Sequence, residues 1–146
     1  MSLDHELIRP IAICVFSNDN RILVAEYFDE GRQQYFYRPL GGGIAYGEHS
    51  LATVEREIKE ELAVDVADLR YLGTLENIFL YNGRPGHEIV LVYDGVLGDK
   101  RLYERPVLYG QENNGEVLTA VWKKLSAFQA ENAPPLYPNG LLELLA

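Results

Sequence analysis

The chain has 146 residues, 47% hydrophobic and 24% charged, with a net charge of −9 and one cysteine, Cys14. That length and balance fit a single domain over residues 1–146 with a hydrophobic core of its own. They exclude an intrachain disulfide and a cysteine-built zinc site; with 13 Lys and Arg against 22 Asp and Glu, they also argue against duplex nucleic acid, which needs a basic stripe.

Residues 9–16 read as a buried strand, and Ser17-Asn18-Asp19-Asn20 as the turn into a second strand, 21–28. The apolar run 11–16 is far shorter than the ~20 residues of a membrane span, and no signal-peptide pattern is visible. The expected location is the cytoplasm, away from membranes. A polar loop, 29–34, leads to a short strand, 35–38, and then to a glycine-rich loop, 39–47. His49 or Ser50 is placed to cap a helix that runs to about residue 62. Residues 69–81 and 87–97 are β-rich and joined by a turn at Asn82-Gly83-Arg84-Pro85-Gly86. Residues 98–115 read as a long polar loop, 117–122 as a strand, and 126–131 and 139–145 as two weaker helices. Strands, a helix, more strands and a terminal helix make an α/β fold with a mixed sheet, of the α+β kind.

The helix carries the chemistry. At 3.6 residues per turn, Glu57, Glu60 and Glu61 project as one cluster, beside an apolar stripe of Leu51, Val54, Ile58 and Leu62. Three close carboxylates repel one another, and a divalent cation turns that cost into a binding site, because hard cations take oxygen ligands. A solvated Glu/Lys helix has the same composition. What separates the two readings is the segment ahead, where a glycine-rich turn offers backbone free of side-chain obstruction to a metal or a phosphate.

The stretch from Gly42 to Val64 resembles the Nudix box. Gly42, Glu48, Arg56, Glu57, Ile58, Glu60, Glu61 and Val64 match its pattern, and Ala63 stands where the family has glycine. That position follows the helix and serves as a stop, so alanine there removes no ligand. Tyr37-Arg38-Pro39-Leu40-Gly41-Gly42-Gly43-Ile44 resembles the usual entry to the box, and the strand order and Trp122 strand also fit.

The resemblance implies an α/β/α sandwich and a hydrolase that cleaves a nucleoside diphosphate linked to another group, with Mg²⁺ or Mn²⁺ as cofactor. Glu57, Glu60 and Glu61 are then the metal ligands, joined by the Gly42 carbonyl. Arg56 holds a catalytic glutamate by a charge-assisted hydrogen bond, and Glu48 braces loop and helix. The catalytic set is Glu57, Glu61 and Arg56, with Glu116 as the first general-base candidate outside the box and Glu88 as another. Glu112 reads as an exposed loop carboxylate. Arg38, Gly41, Gly42 and Gly43 are the expected contacts of the bound group, with Arg9, Arg32 and Arg84 either further phosphate contacts or ordinary surface charges. Tyr35, Phe36, Tyr37, Phe79 and Tyr81 flank the site, either as stacking partners for a base or as core. His87 reads as a strand-edge histidine satisfied by hydrogen bonds, His5 as incidental, and Cys14 as core.

The expected partner is a small diphosphate-containing molecule, with deoxynucleoside triphosphates, ADP-ribose, dinucleoside polyphosphates and nucleotide sugars all open. Many relatives form homodimers, and the oligomeric state is left open here, a homodimer included. An isoprenoid diphosphate isomerase needs a cysteine beside the site, which Cys14 does not supply. A catalytically silent Nudix-fold nucleotide-binding regulator is the alternative function, but such domains lose box glutamates and this chain keeps them. RNA decapping is disfavoured by the charge balance.

Overall fold

The computed structural model describes residues 6–146; His5 lies outside them. One sheet has the strand order β5 (Leu40–Gly43), β1 (Ile8–Val15), β7 (Arg84–Leu97), β6 (Val66–Tyr81). In it β1 runs parallel to β7 and antiparallel to β5, while β6 and β7 form a long hairpin. The hairpin turns at Asn82 and Gly83, both with positive φ, as a tight two-residue hairpin turn demands. The second sheet runs β2 (Ser17–Asn18), β3 (Arg21–Asp29), β9 (Val117–Lys124), β8 (Val107–Gln111), with β4 (Gln34–Arg38) also paired to β3.

The unbroken apolar run at the start of the chain is explained by burial on both faces. Ala12, Cys14 and Phe16 enter one hydrophobic cluster, and Ile11, Ile13 and Val15 enter another. Strand β3 divides in the same way, Leu23 and Ala25 against Ile22 and Val24. A strand covered on both faces has no reason to alternate with polar residues. Helix α1 (Ser50–Leu62) closes the first cluster with Val54, Ile58 and Leu62. Helix α2 (Leu141–Leu145), with Phe128, closes the second. The result is a mixed α/β fold with helix against either side of the sheets, as expected. Cys14 is core, and burial pushes its thiol pKa upward.

Several local expectations are corrected. Residues 40–43, within the expected glycine-rich loop, are strand β5, because bare backbone pairs closely with β1. Residues 98–115 are not one long loop: Lys100–Glu104 forms a 3-10 turn capped by Asp99, and β8 pairs with β9. Buried Leu102 and Leu108 anchor that segment to the core. The helix expected at 126–131 is a 3-10 turn, Leu125–Phe128, and the one at 139–145 shortens to α2. Leu51 is 41% exposed, so it falls outside the apolar stripe, and Thr53 takes the inward place. Neither His49 nor Ser50 caps α1 through its side chain: His49 occupies the N-cap without a side-chain bond, and the Ser50 hydroxyl bonds Tyr93. His87 Nε2 is buried with no partner among the described residues, against the expectation that it would be satisfied. Among those residues no helix is long and apolar enough to cross a membrane.

Candidate active site

Helix α1 presents two neighbouring rows, each repeating every four residues. Val54, Ile58 and Leu62 pack on the core. Thr53, Glu57 and Glu61 form the other row, and its two carboxylates line a cavity of about 610 Å³. Glu57 is 2% exposed. A Cβ on Gly42 would fall on its carboxylate, so any side chain there would displace Glu57 from its place. Gly41 is constrained likewise, since a Cβ would overlap the Ala12 carbonyl of β1. Gly41 and Gly42 are therefore what lets bare backbone pass between β1 and the acidic row.

One guanidinium organises the entry to the helix. Arg56 donates to Glu48 from Nε at 2.8 Å and from Nη2 at 2.9 Å, and to the Gly43 carbonyl at 3.1 Å. Its Nη1 donates to Glu57 Oε1 at 2.9 Å and reaches Glu60 Oε1 at 3.5 Å. Glu48 also accepts from Thr53 Oγ1 at 2.7 Å and from the Ala45 amide at 3.1 Å. These partners, Arg56 foremost, hold the Glu48 carboxyl at about 2. The same ion pairs push the Arg56 pKa upward.

Glu61 is the outlier in this network. Its Oε1 is buried without a hydrogen-bond partner. Burial first, then the charges of Glu57 and Glu112, push its carboxyl up to about 8, opposed by a hydrogen bond from the Gly41 backbone and then by the charge of Arg38. A carboxylate stripped of water, beside other carboxylates, has every electrostatic reason to take up a cation or a proton.

Glu60 is not gathered with the other two: it lies on the Arg56 row, exposed, and does not line the cavity. Glu60 stays tied to Glu57 through Arg56 Nη1, but from outside the cavity lining. Among the described residues, no group of three acidic, histidine or cysteine side chains stands ready to chelate an ion. The orphaned Glu61 oxygen, the buried Glu57 carboxylate and the bare Gly42 backbone nonetheless form an oxygen-rich set that suits a hard divalent cation.

Gly41, Gly42, Gly43, Glu88, Glu112, Glu116 and Arg38 also line the cavity, as do Arg9 and Arg32, whereas Arg84 at the β6–β7 turn does not. Glu88 is buried and braced by Arg38 at 3.4 Å and Asn77 at 3.1 Å; Asn77 in turn accepts from the Asn139 amide. Glu116 sits exposed near the tip of the β8–β9 hairpin. Glu112, expected to be exposed, is half-buried and accepts from the Tyr27 hydroxyl at 2.6 Å.

The remaining wall is aromatic. Phe36 meets Tyr81 and Tyr137 edge-on, with ring centroids 5.4 and 5.7 Å apart, and Phe79 lies 6.2 Å from Tyr137. Of the five aromatics expected near the site, Phe36, Phe79 and Tyr81 line the cavity. Tyr37 is core, and Tyr35 is exposed against Phe28. Sequence reading missed Tyr27, Asn77 and Tyr137. Tyr137 carries no local signal, since it reaches the cavity from a Pro-rich tail held to β4 through backbone bonds to Tyr37.

A family model described as NUDIX domain matches residues 7–141. Over 73 residues the chain is 34% identical to the NAD-capped RNA hydrolase NudC of Vibrio atlanticus (strain LGP32), a match covering 50% of this chain and 26% of that protein. Among solved structures it resembles a MutT NUDIX hydrolase from Burkholderia pseudomallei, with a TM-score of 0.61 and 21% identity over 96% of this chain and 98% of that one. It also resembles a NUDIX hydrolase from Nitrosomonas europaea, with a TM-score of 0.60 and 16% identity over 95% and 86% of the two chains.

Proposed function

The chain belongs to the Nudix hydrolase family, and from that premise we propose that it is a Mg²⁺-dependent pyrophosphohydrolase acting on a nucleotide, nucleotide sugar or dinucleotide. Nudix hydrolases act on small nucleotide-like substrates and generally use divalent metals. The observation that carries the reading is the unpartnered, buried Glu61 oxygen beside the Glu57 carboxylate, under a glycine backbone and facing a cavity. The likeness to a NAD-capped RNA hydrolase supports a nucleotide substrate, though the match spans about a quarter of that protein.

Glu57, Glu61 and the Gly42 carbonyl would hold the ion, with Glu60 as the third carboxylate of the helix; Mn²⁺ would suit the same donors. When bound, the ion supplies polarisation of phosphoryl oxygens, a lowered pKa for a water, and compensation of developing charge. Arg56 fixes Glu57 through the 2.9 Å bond. Arg38 and Arg9 face the cavity and supply positive charge for the diphosphate. Gly41, Gly42 and Gly43 let it approach the backbone. Water attacks phosphorus, the anhydride P–O bond breaks, and the phosphorylated leaving group takes the electron pair. The proton goes to a carboxylate. We take Glu112 as that carboxylate, because it lines the cavity, is half-buried and is held by the Tyr27 hydroxyl. Glu116 is the rim alternative. Glu88 is committed to Arg38 and Asn77, which suits it to orienting Arg38.

A panel of nucleotides, nucleotide sugars and dinucleotides incubated with Mg²⁺, read by released phosphate products, tests the reading. Hydrolysis of at least one is expected, with loss on chelation and recovery on adding Mg²⁺. Glu61→Gln is expected to lower turnover by roughly a hundredfold or more. No hydrolysis across the panel, or turnover indifferent to both chelator and Glu61→Gln, would overturn it.

A further inference from the structure

The Glu112 side chain has one hydrogen-bond partner among the described residues, the Tyr27 hydroxyl, which donates to its Oε1 at 2.6 Å across 85 residues of chain. The tip of the hairpin bearing Glu112 is held by backbone bonds, Glu112 N to the Glu116 carbonyl and Gly115 N to the Glu112 carbonyl, and by the Glu116 amide donating to Asn114 Oδ1. Those bonds fix the turn but leave the carboxylate free to rotate. Tyr27, by contrast, is anchored: it lies on β3 opposite Phe36 of β4, and the two rings stack at 5.4 Å with a 22° interplanar angle. Phe36 is itself wedged edge-on between Tyr81 and Tyr137. Burial, and then the bond to Glu112, push the Tyr27 pKa upward, so it keeps its proton and remains a donor.

We propose that Tyr27 is a positioning residue: it takes the rigidity of the aromatic wall and uses it to aim the Glu112 carboxylate into the acidic side of the cavity. The inference rests on the reading of Glu112 as proton acceptor given above. An unheld glutamate samples several rotamers, only some of which face an attacking water. The hydroxyl selects among them, and it contributes to turnover without touching substrate.

Tyr27→Phe keeps the ring and its stack and removes only the bond. With the nucleotide hydrolysed fastest in the panel, kcat is expected to fall about tenfold while KM stays within about twofold. The melting temperature should change little, because the stack survives. In a Glu112→Gln background, Tyr27→Phe should have no further effect on kcat, since the group it positions is gone. Unchanged kcat in Tyr27→Phe overturns the proposal. So does a loss that multiplies with that of Glu112→Gln, or one that tracks a rise in KM and a fall in melting temperature. Glu61→Gln, assayed alongside, separates the two layers. If Glu61→Gln is inactive and Tyr27→Phe is fully active, only the role of Tyr27 fails. If Glu61→Gln is fully active, the reading of the site fails and takes this inference with it.

Discussion

At the scale of single residues, two box carboxylates are driven in opposite directions by their surroundings. Glu48 is saturated with donors and held at about 2. Its contribution to stability is present above the ordinary carboxylate range and is lost as pH falls through about 2. Glu61 has one buried oxygen without a donor, and burial with neighbouring charge raises it to about 8 despite the bond from the Gly41 backbone. The metal-free fold therefore keeps a proton on Glu61 that the unfolded chain has already released. The corresponding stability is full below about 4.5 and is lost as pH rises through about 8, an effect on the order of a few kcal/mol. In chelator, the melting temperature is expected to fall between pH 5 and pH 9, and Glu61→Gln should flatten that fall. An equal slope in the variant would assign the pH dependence to other groups.

At the scale of elements, the register of α1 decides which residues meet the cavity. Residues 54, 58 and 62 face the core, so 53, 57 and 61 must face the glycines, and Glu60 falls one position round with Arg56. The stripe was legible in outline because helical period follows from spacing alone. Its edges were not, because whether Leu51 or Thr53 turns inward depends on what the first turn packs against. The end of the helix was legible too. Ala63 adopts the left-handed conformation, φ 59 and ψ 32, with its amide bonded to the Lys59 carbonyl. A Cβ in that conformation is strained, which is the physical reason for a glycine stop. Ala63→Gly is expected to stabilise the protein by about 0.5–1 kcal/mol and raise the melting temperature by about 3 °C, with turnover unchanged because Ala63 does not line the cavity. Thermal or urea unfolding beside a rate assay checks both halves; a destabilised variant would show that the exit loop prefers alanine.

At the scale of the whole molecule, the cavity is assembled from parts distant in sequence. Parallel pairing of β1 with β7 sets Arg9 opposite Glu88, and β4, the β6–β7 hairpin and the 135–139 tail bring Phe36, Phe79 and Tyr137 together. An aromatic wall and an acidic row in one cavity suit the proposed function, with the aromatic side to bind and the acidic side to react. Phe79→Ala should therefore raise KM for a nucleotide substrate about tenfold and leave kcat within about threefold, the amount expected for losing one stacking surface. An unchanged KM in steady-state kinetics would exclude Phe79 from substrate binding.

Local spacing and steric rules were enough to place the acidic helix, the glycine backbone before it and the buried first strand, whereas the stop at Ala63 was read from the resemblance to the Nudix box. Three other facts came from the folded chain: Tyr27 holds Glu112, Glu60 stays outside the cavity lining, and Tyr137 joins Phe36 and Phe79. Those facts depend on strand pairing and loop packing between segments tens of residues apart, and no short-range pattern along the chain encodes which side chains such pairing brings together.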